Sequence, residues 1–288
     1  GILREHNVKK LVKSKSMLTE ECEMNAFLES KGLDVVETDL GERILQLMHK
    51  KPAHIVMPAI HITREEVGRM FEEKGISKEI GNYDPTYLTQ CARIHLRNQF
   101  LEADAGMTGC NFGVAKTGDI VVCTNEGNAD MSTSLPKLHI VGMGIEKLVP
   151  DYDSLAIFQR LLARCGTGQP TTTFTSHFRK ARPGAEMHVV LLDNGRSDIL
   201  GNSTHWETLK CMRCGACMNT CPVYRRSTGY SYSYFIPGPI GINLGMLKNP
   251  KLHSGNVSAC SLCLSCNNVC PTKVNPGTQI YAWRQQLD

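Results

Sequence analysis

The chain has 288 residues, of which 41% are hydrophobic and 21% are charged, and its formal net charge is +4. This composition excludes an intrinsically disordered chain, because enough apolar side chains are present to form a core. No apolar run approaches the roughly 20 residues that cross a bilayer, and no basic-then-apolar leader is present. We therefore expect a cytoplasmic protein, associated with a membrane only through partners. Because the first residue is Gly rather than Met, we also expect a trimmed chain.

The positive charge is concentrated in the last part of the chain. From His205 onward there are eight Lys or Arg and two acidic residues, whereas the preceding 204 residues carry 24 basic and 26 acidic groups. A basic tail is typical of nucleic-acid-binding proteins. The same 84 residues, however, contain eight of the 13 cysteines, and metal-bound thiolates need positive charge nearby. We attribute the basic excess to this compensation and expect no nucleic-acid partner.

Helices and strands alternate in the predicted structure of the first half. Apolar spacing predicts a short helix at 24–32 and a strand at 33–36. Thr63 and Glu66 form a capping-box pair at the start of the next helix. Asp84 followed by Pro85 predicts the start of a longer helix.

The alternation continues beyond residue 110. Residues 111–124 predict two strands that turn at Thr117–Gly118, and strands at 138–141 and 187–192 flank a helix at 157–165. Such alternation favours an α/β fold with a largely parallel sheet. We place an α/β domain at residues 1–200 and a small α-helical, ferredoxin-like domain at residues 201–288.

A cysteine motif, C-x-x-C-x-x-C-x-x-x-C-P, occurs twice in the second domain. Its two copies are Cys211, Cys214, Cys217 and Cys221 with Pro222, and Cys260, Cys263, Cys266 and Cys270 with Pro271. In two-cluster ferredoxins, three cysteines of such a run bind one 4Fe–4S cluster and the fourth binds the other cluster. The predicted ligand sets are therefore Cys211, Cys214, Cys217 and Cys270, and Cys260, Cys263, Cys266 and Cys221.

Zinc sites and disulfides fit the cysteine runs less well than iron–sulfur clusters do. Zinc sites use two C-x-x-C knuckles and need neither the third cysteine nor the proline. Disulfides are not expected in a leaderless chain. The long segment between the runs indicates the helical kind of two-cluster module found in succinate dehydrogenase, with residues 230–245 as an ordered loop. The other five cysteines share no spacing and are interpreted as small buried side chains.

Other candidate sites have weaker signals. The segment Thr124, Asn125, Glu126, Gly127 and Asn128 follows a strand, where α/β sheets bind ligands, but a capped glycine turn accounts for it equally well. Gly142 and Gly144 also follow a predicted strand; Lys147 occupies the third glycine position of a dinucleotide loop, so we predict a turn. His54, His61, His139 and His188 are interpreted as structural.

Several segments, together with the cysteine runs, resemble the lactate utilization protein B family, the iron–sulfur subunit of a bacterial L-lactate-oxidising complex. They are residues 118–128 (GDIVVCTNEGN), 135–140 (LPKLHI), 144–147 (GIEK) and 191–196 (LLDNGR). The resemblance extends from Lys13 through Pro237 to Cys270. It implies a first domain similar to the ribose-5-phosphate isomerase and CoA-transferase sheet fold, and two 4Fe–4S clusters. It also implies two companion subunits, one of them a cysteine-rich iron–sulfur protein. Members of this family continue well past the second cysteine run.

The expected function is electron transfer during oxidation of L-lactate, a small 2-hydroxy acid, to pyruvate. A cubane cluster passes single electrons and accepts no hydride, so this chain is expected to relay electrons and not to be catalytic alone. If the first domain binds the substrate carboxylate, Lys137 and the loop from Thr124 to Asn128 are the candidate residues. Two alternatives are an electron-transfer adaptor serving another dehydrogenase and a redox sensor.

Overall fold

The computed structural model describes residues 1–287, which form two compact units. The first unit comprises residues 1–50, 59–143 and 173–191, and the described part of the second comprises residues 51–58, 144–172 and 192–287. The units are discontinuous in sequence, because residues 51–58 and 144–172 belong with the cysteine-rich part of the chain. The division at residue 200 stays a prediction. No helix within residues 1–287 combines the length and the apolar composition needed to cross a membrane.

The first unit alternates strands with helices. Its elements are α1 (Ile2–Glu5), β1 (Lys10–Lys13), α2 (Met17–Glu21), α3 (Met24–Glu29), β2 (Asp34–Glu37), α4 (Leu40–Met48), α5 (Arg64–Glu73), α6 (Pro85–Leu101), β3 (Ala105–Thr108), β4 (Phe112–Val114), β5 (Asp119–Thr124), α7 (Asn128–Ser134) and β6 (Leu138–Gly144). After two elements of the second unit, β7 (Leu148–Val149) and α8 (Tyr152–Thr167), it ends with β8 (Phe174–Phe178) and β9 (Glu186–Leu192).

A five-stranded sheet in the order β2-β1-β3-β6-β9 forms the centre of the first unit. The pairs β1–β2, β1–β3 and β3–β6 are parallel, so the predicted parallel sheet is confirmed. Apolar side chains such as Leu11, Val35 and Met107 pack into one core cluster. The strands β4, β5 and β8 pair antiparallel, and the predicted β4–β5 hairpin turns at Gly118, whose φ is +76°. The prediction of a turn at Gly142–Gly144 is wrong, because both glycines lie in the buried strand β6.

Local signals in the sequence set the starts of the main helices. The side-chain oxygen of Thr63 accepts the backbone N–H of Glu66, and the Glu66 carboxylate accepts the backbone N–H of Thr63. This reciprocal pair satisfies two donors that the first turn of a helix leaves unpaired. Asp84 caps α6 through the N–H of Tyr87, with Pro85 at the first helical position. Both predicted starts are confirmed.

The second unit is mainly helical. Besides β7 and α8, its elements are α9 (Arg196–Leu200), α10 (Ala216–Thr220), α11 (Pro222–Ser227), α12 (Gly238–Lys248), α13 (Pro250–Ser258), α14 (Ser265–Val269) and α15 (Pro276–Leu287). Helix α12 packs against α13 and α15 around Met246, Val257 and Ile280. The predicted loop at 230–245 is therefore wrong in its second half, since α12 begins at Gly238.

Candidate metal centre

The two cysteine runs have the same backbone conformation. In the first run, Arg213 and Gly215 have positive φ angles of +65° and +80°, and in the second run Leu262 and Leu264 have φ angles of +53° and +61°. These residues occupy equivalent positions, one before the second cysteine and one after it. Left-handed conformations are rare for non-glycine residues, so their recurrence at matched positions shows that each run folds as a copy of the other.

The fourth cysteine of each run follows a short helix and has an extended backbone. Helices α10 and α14 have five residues each and pack against one another. Cys221 then has φ −71° and ψ 118°, and Cys270 has φ −72° and ψ 113°. The Cys221 sulfur accepts the backbone N–H of Tyr224 at 3.5 Å, and the Cys270 sulfur accepts that of Val274 at 3.3 Å. Both fourth cysteines thus have the same backbone conformation, and each sulfur accepts a backbone N–H from a residue that follows it.

The thiols form two groups that cross between the runs. The Cys214 thiol interacts electrostatically with those of Cys211 and Cys270. The Cys266 thiol interacts with those of Cys260, Cys263 and Cys221. Cys270 therefore lies near Cys214 of the first run, and Cys221 lies near Cys260 and Cys266 of the second run. Cys217 belongs with Cys211 and Cys214 and also interacts with Cys266, so the two groups are neighbours.

The chemistry of these donors fits iron–sulfur clusters. Burial, with the neighbouring thiols, raises the pKa of Cys214 to about 11 and that of Cys266 to about 12. Several cysteine thiolates can lie close together in a buried site only when cations compensate their negative charge. The backbone N–H group of Ile240 points at the Cys217 sulfur, as such groups do around cluster-ligating sulfurs. The cysteines form no disulfide among the described residues.

Residues 51–58 form hydrogen bonds with residues in and next to the first cysteine run, within the second unit. His54 is buried, and its Nδ1 accepts the backbone N–H groups of Val56 and Met57, both at 3.0 Å. Its Nε2–H therefore donates to the Asn219 Oδ1 atom in α10 at 3.1 Å. The Tyr224 hydroxyl donates to the Ala53 carbonyl at 2.7 Å. This histidine is a structural element of the cysteine site.

Cys165 is a residue that the sequence analysis did not connect with the runs. It lies on α8, and its thiol interacts electrostatically with Cys214 and Cys270. The neighbouring Gly166 approaches the same run, because a Cβ atom there would lie 3.3 Å from the Cys214 carbonyl oxygen. Spacing carries no signal for this proximity, since Cys165 precedes the first run by 46 positions in another element.

In the first unit, the loop from Thr124 to Asn128 satisfies its own polar groups. The Thr124 hydroxyl accepts the N–H of Glu126 at 3.2 Å and lies 3.2 Å from the Asn128 Oδ1 atom. Asn125 accepts the backbone N–H of Thr173 at 3.1 Å. These contacts form a capped turn. The Glu126 carboxylate takes no part in them.

Glu126 faces the carboxyl edge of the parallel sheet. Its carboxylate accepts the backbone N–H of Leu40, beside the helix cap Asp39 and near Lys15. Desolvation and the Asp39 charge raise the pKa of Glu126 to about 7, although the side chain keeps contact with solvent. Lys15 also pairs with Glu42 at 3.3 Å. This edge therefore combines carboxylates with a lysine.

Lys137 lies elsewhere. It is exposed and immediately precedes β6, so it stands at the amino edge of the parallel sheet, and α7 spans the distance between it and the loop. The structure brings Thr124, Asn125, Glu126 and Asn128 together but does not bring Lys137 to them. The five-residue pocket stays a prediction.

Comparisons with known proteins agree with this architecture. The LUD domain matches residues 4–195, and a 4Fe-4S dicluster domain matches residues 207–274. Lactate utilization protein B of Bacillus pumilus (strain SAFR-032) is 46% identical over 95% of this chain and 59% of its own length. The "Uncharacterized electron transport protein YkgF" of Escherichia coli (strain K12) is 42% identical over 95% of this chain and 58% of its own.

Lactate utilization protein B of Macrococcus caseolyticus (strain JCSC5402) gives a similar match, with 44% identity over 95% of this chain and 58% of its own length. The chain thus spans less than two thirds of these curated relatives. The resemblance to lactate utilization protein B, the α/β-plus-helical fold class and the two 4Fe–4S clusters are confirmed. With its LUD domain covering most of the first 195 residues, the chain belongs to the LUD domain family.

Proposed function

We propose that this chain is the iron–sulfur subunit of a complex that oxidises L-lactate to pyruvate, and that it relays electrons singly through its two clusters. The observation that supports the relay most is the crossing of the two thiol groups, with Cys217 close enough to Cys266 to interact with it electrostatically. Two neighbouring redox centres in one small unit are suited to passing electrons from a donor to an acceptor. The names of the matched relatives support lactate as the source of those electrons.

The chemistry requires a division of labour. Oxidising a 2-hydroxy acid to a keto acid removes two electrons and two protons, whereas a cubane cluster changes by one electron at a time. The first acceptor of the pair of electrons is therefore assigned to a companion subunit or an added cofactor. A cysteine-rich iron–sulfur protein is the partner class we propose to continue the path.

The role of this chain's own residues is to hold the clusters. We assign Cys211, Cys214, Cys217 and Cys270 to one cluster and Cys260, Cys263, Cys266 and Cys221 to the other. Backbone N–H groups directed at the sulfurs, such as that of Val274 at Cys270, stabilise the negative charge of the thiolates. The helices α10 and α14 set the distance between the two groups.

Pairs of substitutions distinguish crossed from uncrossed ligation. With crossed ligation, Cys221→Ala combined with Cys263→Ala damages one cluster, and about four iron atoms per chain remain. Cys221→Ala combined with Cys214→Ala damages both clusters and leaves the chain nearly free of iron. Uncrossed ligation predicts the reverse result for the two pairs. Iron and acid-labile sulfide analysis after anaerobic purification gives the counts, and Cys22→Ala, outside the runs, is the control.

The electron relay is tested with the protein and its co-purifying partners under anaerobic conditions. Adding L-lactate should bleach the cluster absorption when the partners are present and leave it unchanged in their absence. Bleaching of this subunit alone, without an added cofactor, would contradict the division of labour. Clusters that dithionite reduces but lactate and partners do not would instead favour an adaptor for another dehydrogenase.

For the substrate, we propose that the loop from Thr124 to Asn128 contacts the carboxylate at the carboxyl edge of the sheet, where α/β folds bind ligands. What supports this is the placement of Lys15 near Glu126. Lys15→Met should then raise the lactate concentration needed for half-maximal bleaching, with iron content unchanged. Lys137→Met provides a lysine control at the opposite edge, and equal effects of both variants would refute the placement.

A further inference from the structure

Three side chains that could ligate a metal converge at one edge of the first unit, away from the cysteines. His6 follows α1, and Glu186 and His188 lie two positions apart on β9, the edge strand of the five-stranded sheet. Residues i and i+2 of a strand point to the same face, so both β9 side chains face His6. One ligand atom from each residue lies within 4.8 Å of the other two.

The distances match the edges of a tetrahedral zinc site. The His6 Nε2 atom lies 3.1 Å from the Glu186 Oε2 atom, and the His188 Nε2 atom lies 3.3 Å from the same oxygen. Bonds of about 2.0–2.1 Å from Zn²⁺ to nitrogen and oxygen, at tetrahedral angles, separate two ligand atoms by about 3.3 Å. Both histidine nitrogens thus lie at the distance from the Glu186 oxygen that a bound ion would impose.

The hydrogen bond at the other side of the His6 ring fixes its orientation. The His6 Nδ1 atom lies 2.9 Å from the Ile2 carbonyl oxygen, which can only accept, so Nδ1 carries a proton. In the neutral ring, Nε2 then presents a lone pair to the Glu186 carboxylate. Two acceptors at 3.1 Å repel each other unless a cation lies between them. A ligating histidine whose second nitrogen donates to a carbonyl is the usual arrangement in metal sites.

The three side chains are accessible to an ion from solvent, and the charges near them favour a cation. The side chains of His6, Glu186 and His188 are 31%, 61% and 35% exposed, so water can complete the coordination. Glu5 adds a second negative charge near His6. The two imidazole rings are 6.0 Å apart and at 72° to one another, so they are not stacked.

We propose that His6, Glu186 and His188 bind a zinc ion, which joins the start of the chain to the edge strand β9. Two imidazoles and one carboxylate form a donor set that is found in zinc sites. The ion would tie the end of α1 to β9, which has a neighbouring strand on one side only among the described residues of this sheet. The competing occupant is a proton, which would turn His6 into an imidazolium paired with Glu186.

The test uses the full chain with both clusters intact, treated with a chelator and then titrated anaerobically with Zn²⁺ by calorimetry. Wild-type protein should bind one zinc ion without loss of iron. His188→Ala and Glu186→Gln should each weaken that binding at least about tenfold, because each removes one of three protein ligands. His177→Ala, at an exposed histidine on β8, is the matched control and should bind as the wild type does.

A thermal readout separates zinc binding from general effects on folding. Zinc should raise the melting temperature of the wild type and of His177→Ala, since a ligand that binds only the folded state stabilises it. It should raise the melting temperature of His188→Ala much less, because that variant binds zinc more weakly. Equal zinc affinity and equal thermal shifts in wild type and His188→Ala would overturn the proposal and leave a proton-bridged ion pair.

Discussion

At the scale of single residues, His139 links the first unit's stability to pH. It is buried in β6, its Nε2 atom lies 2.9 Å from the Thr108 hydroxyl, and burial lowers its pKa to about 4. The unfolded chain takes up a proton near pH 6.5 that the folded chain excludes, so stability falls as pH drops from about 6.5 to 4. The full effect is on the order of 3 kcal/mol.

The variant His139→Gln should lose this pH dependence while keeping a polar group near Thr108. Hydrogen exchange of the β3 and β6 amides at pH 5 and pH 7, corrected for intrinsic exchange, measures the difference. His177→Gln, at an exposed histidine, should retain the wild-type dependence. If wild type and His139→Gln respond equally to pH, another group controls acid stability.

Lys13 is the most deeply buried charge of the first unit. Its side chain is 0% exposed, and its Nζ atom lies 2.7 Å from the Glu37 carboxylate and 3.8 Å from that of Glu20. Burial lowers the pKa of Lys13, but these carboxylates outweigh burial and the net shift is upward. Lys13→Met would leave Glu37 buried without its cation, which costs about 3–5 kcal/mol.

Denaturant unfolding of the first unit, followed by hydrogen exchange in β1, tests this cost. Lys10→Met is the control, because the Lys10 pair with Glu102 involves a 61% exposed carboxylate and should contribute under about 1 kcal/mol. Adding Glu37→Leu to Lys13→Met should restore most of the loss. A single variant as stable as the wild type would show that Glu37 finds another partner or a proton.

Some residues of the two sites could be predicted from the sequence, and others could not, for physical reasons. The eight cysteines could be identified because a cluster imposes a fixed spacing on the chain. Cys165 and the His6–Glu186–His188 group could not, because their members come from distant elements that only the fold brings together. A cation near a sheet edge suits a small acid, which makes Lys137 a candidate beside the Thr124 loop, yet α7 lies between them in the chain.

At the scale of elements, the contact of α7 with β3 depends on one glycine. A Cβ atom on Gly106 would lie 1.7 Å from the Ser132 carbonyl oxygen, so the helix rests directly on the strand backbone. Gly106→Ala should force these elements apart and destabilise the first unit by about 3 kcal/mol. Gly142→Ala in the parallel strand β6 is the matched control, because its Cβ atom would meet only Leu18 Cδ2, at 3.7 Å.

Thermal or denaturant unfolding monitored in β3 and β6 compares the two glycine variants. Gly142→Ala should lie within about 1 kcal/mol of the wild type, as expected for a strand position with ordinary contacts. A Gly106→Ala protein as stable as Gly142→Ala would mean that α7 can shift without cost. The result bears on function, because α7 follows the Thr124–Asn128 loop directly.

Helices and turns could be predicted where local sequence signals determine their boundaries. They could not be predicted where tertiary packing determines the structure. Caps and turn residues such as Thr63, Asp84 and Gly118 fixed boundaries that the structure keeps. Helix α12 has no amphipathic pattern because it is buried on nearly all sides, and its glycines let neighbours approach. A Cβ atom on Gly241 would lie 1.7 Å from the Ile236 carbonyl oxygen. A Gly- and Pro-rich segment of this kind resembles a loop until its packing is known.

At the scale of the whole molecule, the two units differ in what stabilises them. The first unit has apolar clusters on its parallel sheet, including that of Leu11, Val35 and Met107. In the second unit, the helices within and next to the cysteine runs, α10, α11 and α14, have only five or six residues each. Isolated helices of that length are unstable in water, so the bound clusters contribute much of their order.

Removing the iron anaerobically with a chelator and an oxidant should therefore affect the two units differently. Hydrogen exchange of the amides in α10, α11 and α14 should rise to nearly unprotected rates, because the thiolates lose the cations that hold them together. Exchange in β1, β3 and β6 should change little, since their protection comes from buried strand pairing and apolar contacts. Retained protection in α10 and α14 of the iron-free protein would show that side-chain contacts such as His54 with Asn219 suffice to maintain the cysteine site.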